Sequence, residues 1–113
     1  MNVSVEQLVS LAEKCGFRAS IESGKAANPN ANEGEKCVIL HHNSAHWDPI
    51  KRDNQAFGLL QEVIKQGNCK LVFDDGTNEF FIYSYLDPYG PPLGLGTNLN
   101  ETIVDAALEL WDI

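Results

Sequence analysis

Two strand-length runs flank a single turn signal, and no other feature of the sequence restricts the fold as much. Cys69 to Phe73 is short and apolar, and Glu79 to Tyr85 is aromatic and β-branched, the composition that suits a pleated surface. Between them lies Asp74-Asp75-Gly76-Thr77-Asn78, a tight-turn sequence in which Gly76 is expected to supply the left-handed position. The three pieces predict an antiparallel hairpin.

The remaining elements follow from periodicity. Ser4 and Gln7 form a capping box for a helix over residues 4–15, with Val5, Leu8, Val9, Leu11 and Ala12 on its apolar face and Gly16 as the stop. Phe17 to Glu22 alternates and predicts a half-buried strand. Lys36 to His42 predicts a second, antiparallel to the first. Residues 23–36 between them carry no large apolar side chain, which predicts a long mobile loop. Asp48-Pro49 offers an N-cap and a first-turn proline for a helix from about Ile50, or from Asp53, to Lys65, with Gly67 ending it. Residues 86–97 hold three Pro and three Gly and read as a loop crossing to a last helix over 99–112, capped by Asn98 with Glu101. The order is α-ββ-α-ββ-α. The expected fold is α+β: one domain over 1–113, with helices packed on a four-stranded, mainly antiparallel sheet.

At 113 residues the chain can form a core without staples. Cys15, Cys37 and Cys69 are odd in number and far apart, which favours reduced packing thiols in a cytosolic protein over a disulfide framework. The N-terminus has no basic or apolar region of the signal-peptide kind, and no apolar run approaches the ~20 residues of a membrane span. Cytoplasmic location is therefore expected, with no membrane partner.

The net charge of −8 is unevenly placed. Residues 1–70 hold all eight Lys and Arg and eight acids, whereas residues 71–113 hold eight acids and no Lys or Arg. Direct nucleic-acid binding is disfavoured, because phosphate contacts need a basic surface. On the last helix Glu101, Asp105, Glu109 and Asp112 fall within an arc of about 80°. Like charges at this spacing cost a helix a few tenths of a kcal/mol each, and Asp112 sits where the helix dipole disfavours an acid. An acidic face kept at that cost points to a basic protein partner; the alternative is an ordinary solvated face that serves solubility. Glu101, Asp105, Glu109, Asp112, Asp74, Asp75 and Glu79 are the candidate binding residues.

Catalytic chemistry has weaker signals. His41, His42 and His46, with Cys37 and Asp48 nearby, have the residue types of a zinc site. However, His41 and His42 are adjacent on a strand and point to opposite faces. Cys37 and Cys69 could pair with a histidine as nucleophiles, but both lie in apolar strands where thiols are inert. Gly94-Leu95-Gly96 does not lead from a strand into a helix, so it is not a phosphate cradle. No catalytic residue, metal ligand set or cofactor is implied.

Trp47-Asp48-Pro49 with the helix around Asp53 to Lys65, the strand pair from Lys70 to Tyr85, and the ending Asn100-Glu101-Thr102-Ile103-Val104-Asp105-Ala106-Ala107-Leu108-Glu109-Leu110-Trp111 together resemble small phage and prophage proteins of the phage ABA-sandwich type. The resemblance covers roughly the last two thirds of the chain. It implies an α-β-α layered sandwich and a phage or mobile-element setting, and it carries over no catalytic residue. The expected function is a non-enzymatic accessory protein that binds a basic partner, such as an inhibitor of a host defence nuclease of the anti-CRISPR kind. The alternatives are a small metal or cysteine enzyme around Cys37, His41, His42 and His46, and an oligomerising module in which Phe80, Phe81, Tyr83 and Tyr85 join a homodimer.

Overall fold

The computed structural model describes all 113 residues. The protein is α+β, with three helices and two small antiparallel sheets. The chain forms two compact units, Met1–Asp48 and Pro49–Ile113. The strands divide accordingly. They make a two-stranded and a three-stranded sheet in place of the single four-stranded sheet expected.

The first unit begins with α1 (Val5–Lys14). The capping box forms as expected: the Gln7 amide donates to Ser4 Oγ at 3.1 Å and the Ser4 amide to Gln7 Oε1 at 2.9 Å. Gly16, at φ 87°, ends the helix, and the Phe17 amide closes back on the Ala12 carbonyl at 3.0 Å, the bond pattern that satisfies the last carbonyls of a helix. Strands β1 (Ala19–Ser23) and β2 (Lys36–Leu40) pair antiparallel from Ala19 opposite Leu40 to Ser23 opposite Lys36. The intervening segment is held by its own backbone. Gly24–Ala26 forms a 3-10 turn, the Gly24 amide donates to the Glu35 carbonyl at 2.7 Å, and the Ala27 and Asn28 amides return to the Gly24 carbonyl. β2 stops at Leu40, so His41 and His42 lie in the turn beyond it. After that turn the chain runs back along β2, with His46 bridged to Ile39 and the Trp47 amide donating to the Val38 carbonyl at 2.8 Å. Leu11, Ala12, Val38, Leu40 and Trp47 are buried.

The second unit contains α2 (Asp53–Gly67), β3 (Cys69–Asp74), β4 (Glu79–Ser84), β5 (Gly94–Gly96) and α3 (Leu99–Leu110). Asp48-Pro49 does not start α2. Residues 49–51 form a turn, and Arg52 occupies the cap without a side-chain bond. The entry is held from α3 instead, where Asn100 Nδ2 donates to the Ile50 carbonyl at 3.1 Å and to Asp53 Oδ1 at 2.9 Å. The stop also moves by one residue. Asn68 takes the left-handed conformation (φ 50°), while Gly67 stays helical and is glycine because a Cβ there would come within 2.6 Å of Leu110.

The sheet order is β3-β4-β5, all antiparallel. The hairpin has the expected partners, from Cys69 opposite Ser84 to Asp74 opposite Glu79. Its turn differs in mechanism. Asn78, not Gly76, holds the positive φ, at 59°, and Asp74 Oδ1 accepts from the Gly76 amide at 2.9 Å. The extra strand β5 lies in the segment expected to be loop and places Gly96, Leu95 and Gly94 opposite Phe80, Phe81 and Ile82. Glycine is required in β5 because α3 passes directly over it. A Cβ on Gly94 would overlap the Thr102 carbonyl oxygen and meet Ala106 Cβ at 3.0 Å.

α3 starts as the sequence indicates, with the Glu101 amide donating to Asn98 Oδ1 at 3.0 Å. It ends two residues short of the expected boundary. Asp112 has φ 53°, and the Ile113 amide bonds the Leu108 carbonyl at 3.0 Å. Ile82, Ile103, Val104, Leu59 and Val63 are fully buried here, each worth about 1.5–3 kcal/mol relative to exposure.

Two substitution experiments check this geometry by urea unfolding. Gly94→Ala is expected to cost about 1–3 kcal/mol, as overpacking of a closed contact does. Asn78→Ala is expected to cost about 1 kcal/mol through its left-handed backbone, whereas Gly76→Ala changes stability far less. The reverse ranking at the turn would contradict the assignment.

Candidate functional site

α3 has two unlike sides because its apolar residues are drawn onto β5 and α2. Thr102, Ile103, Val104, Ala106 and Ala107 are buried. Thr102 keeps its hydroxyl satisfied by donating to the Asn98 carbonyl at 2.7 Å, so the covered side has no polar defect. What remains is the outer arc. Asp105 and Glu109 are exposed, and Glu101 is half-buried one turn earlier. These three lie at successive i,i+4 positions, about 6 Å apart along the axis. Partial burial, and then the charge of Glu101, raise the Asp105 carboxyl above the ordinary carboxylate value.

The seven candidate residues do not form one site. Glu101, Asp105 and Glu109 share the outer arc of α3. Asp112 lies beyond the helix, and its left-handed backbone makes it part of the helix stop. Asp74, Asp75 and Glu79 belong to the hairpin end. Asp74 and Glu79 face each other across the β3–β4 register. They therefore occupy the same sheet face as Val72 and Phe81, since side chains alternate along a strand. α3 covers the other face, that of Ile82 and Gly94, so the sheet separates the two acidic groups.

The histidine and cysteine candidates are placed as follows. No group of three His, Cys, Asp or Glu side chains is arranged to hold a metal ion. His41 and His42 are exposed, and His42 stacks on Phe17 at 5.4 Å between ring centroids. With Gly16 and Arg18 these residues line an open depression of about 450 Å³. Cys37 is buried and donates its thiol to the Ser23 carbonyl at 3.3 Å. Burial raises its pKa, a backbone hydrogen bond from Ala27 opposes that, and Glu22 adds to it. Burial also raises Cys69, whose thiol donates to the Gly67 carbonyl at 3.3 Å. Both thiols are protonated at neutral pH, the inert form.

Sequence reasoning named Phe80, Phe81, Tyr83 and Tyr85 together, and did not separate the two faces of the three-stranded sheet or include β3 and β5 in the open one. Lys70, Val72 and Asp74 on β3, Glu79, Phe81 and Tyr83 on β4, and Leu95 on β5 share it by register. Phe81 and Tyr83 stack there at 5.9 Å with an 11° interplanar angle. The signal for this face was the i,i+2 spacing of Phe81, Tyr83 and Tyr85. Its extension to Leu95 needed β5, which propensity does not reveal.

No helix of the protein is long and apolar enough to cross a membrane. No family model, curated protein or solved structure matches the chain.

The raised Asp105 pKa fixes the sign of a pH experiment. The fold favours the protonated carboxyl, so the stabilisation from protonation is present at low pH and lost as pH rises from the ordinary value of about 3.8 through the folded one. Asp105→Asn is expected to be more stable than the parent at pH 7, by the few tenths of a kcal/mol typical of a relieved i,i+4 repulsion. That advantage should shrink in thermal melts as the pH is lowered from 7 toward about 3.8, the ordinary value.

Proposed function

We propose that this protein is a non-enzymatic binding protein that docks the outer arc of α3 on a basic protein surface. The observation that carries the reading is the division of α3 into a buried apolar side and an outer arc bearing Glu101, Asp105 and Glu109. In residues 71–113 no Lys or Arg offsets these acids.

A partner built to hold nucleic acid suits this arc best. Such a surface is rich in Lys and Arg that otherwise pair phosphates, and a row of carboxylates competes for the same cations. Charge complementarity speeds encounter and rejects acidic competitors. The resemblance to phage ABA-sandwich proteins supplies a setting. In it, the protein acts in the host cytoplasm as a phage or mobile-element accessory factor, of the type that inhibits a host defence nuclease.

The test is calorimetric titration against purified RNA-guided nucleases, with and without guide RNA. Binding to the nucleic-acid-free form is expected, weakening as salt rises. The combined variant Glu101→Lys, Asp105→Lys and Glu109→Lys should lose at least ten-fold in affinity while its circular dichroism stays native. Unchanged affinity in the folded variant would remove α3 from the interface.

A further inference from the structure

We infer that the open face of the β3-β4-β5 sheet is a self-complementary surface that pairs with a second copy of this chain. The inference rests on a different surface from the acidic arc of α3 and does not depend on that reading.

The face has one helix-covered counterpart and no helix of its own. Ile82 and Gly94 point to α3, and Ile82 is 0% exposed. On the opposite face Val72 is 38% exposed and Leu95 47%. Val72, Phe81 and Leu95 are mutual register partners, so they form a single apolar row running across all three strands. The charged and polar groups are arranged symmetrically about that row. Two residues from Val72 in one direction is Lys70, and two residues in the other is Asp74. Two residues from Phe81 toward the Lys70 end is Tyr83, and two residues the other way is Glu79.

This pattern chooses the partner and its orientation. A two-fold axis lying along the Val72–Phe81–Leu95 row reverses the strand direction of the second copy. Each residue of the row then meets its own equivalent. Lys70 of one copy lies over Asp74 of the other, and Tyr83 with its phenolic hydroxyl lies over Glu79. An isologous contact requires this reciprocity, and sheets packing face to face sit about 10 Å apart with side chains filling the gap. A two-fold axis parallel to the strands, between β3 and β4, would instead lay Lys70 over Tyr83 and set the acids against each other, Asp74 over Glu79. Within one copy Asp74 and Glu79 are like charges directly opposite, a destabilising pair, and the second copy brings a cation to them. Lys70 is held at its end of the face, with its ammonium 5.5 Å from the centre of the Tyr85 ring.

The strength follows from size. Two six-residue strands and a short third give a face of about 20 Å by about 14 Å. That is small against the roughly 800 Å² per partner of stable complexes, so a weak dimer that forms only at high protein concentration is expected. The net charge of −8 per copy opposes approach, and at physiological salt this repulsion is screened beyond about 8 Å.

Sedimentation velocity and light scattering of the full chain, from about 10 μM to about 1 mM in about 0.15 M salt, test the proposal. The mass is expected to rise with concentration from 12.5 kDa toward twice that value. Phe81→Glu and Leu95→Glu should each leave a folded monomer; should Phe81→Glu lose its native circular dichroism, the exposed Leu95 site carries the test. Lys70→Asp should weaken the dimer at least five-fold. The charge swap Lys70→Asp with Asp74→Lys should restore it, because reversal at both ends preserves the antiparallel match. Reversing Asp105 and Glu109 should leave the dimer unchanged. A monomer throughout, or a dimer that survives both glutamate variants, overturns the proposal. A dimer insensitive to Lys70→Asp, or not restored by the folded swap, overturns the orientation.

Discussion

The close approach of α3 to β5 is the contact on which the second unit depends. Gly94 has no side chain, and the Thr102 carbonyl and Ala106 occupy the space where one would be. This lets a helix rest on backbone, and it fixes which face of the sheet is covered. It also sets the rotation of α3. With Thr102, Ile103, Ala106 and Ala107 turned inward, Asp105 and Glu109 must point out. Asn100 extends the same constraint to α2 by bonding the Ile50 carbonyl and Asp53. One seam therefore places two helices on one side of the sheet and leaves the other side of that sheet without a helix of this unit.

Two surfaces of opposite character result. The outer arc of α3 is charged, convex and single-signed, suited to steering toward a basic surface. The open sheet face is flat, apolar along its central row and charged with opposite signs at its two ends. The first kind of surface favours encounter with a different molecule and repels its own kind. The second matches itself. The lopsided charge of the sequence marks the first and hides the second, because Lys70 stands just outside the acidic stretch.

Much of the local structure was legible in the sequence. The Ser4–Gln7 capping box, the Gly16 stop, the hairpin register and the Asn98 cap are short-range devices, and each formed between the residues expected. The misreadings came from choices that only tertiary contacts decide. Gly76 and Asn78 can both take the left-handed turn position, and Asp74 settled the matter by capping the Gly76 amide. Gly67 resembles a helix stop, but the packing of Leu110 against it is its reason for being glycine, and Asn68 ends the helix. β5 has no strand propensity at all. It pairs because Gly94 lets α3 hold it against β4. Asp112 fitted the acidic stripe by angle, yet the helix ended before reaching it. The division of the strands into two sheets was invisible for the same reason, since strand partners beyond a hairpin are non-local.

The central claim is that the three-stranded sheet has one face sealed by α3 and one face open to other molecules. Hydroxyl-radical footprinting of the dilute protein, at about 1 μM where any dimer of the expected strength is dissociated, measures this directly. Phe81, Tyr83 and Leu95 should be oxidised readily, while Ile82, Ile103 and Val104 remain protected. Protection of Phe81, Tyr83 and Leu95 at that dilution would mean that the chain itself covers the face, and would contradict the account.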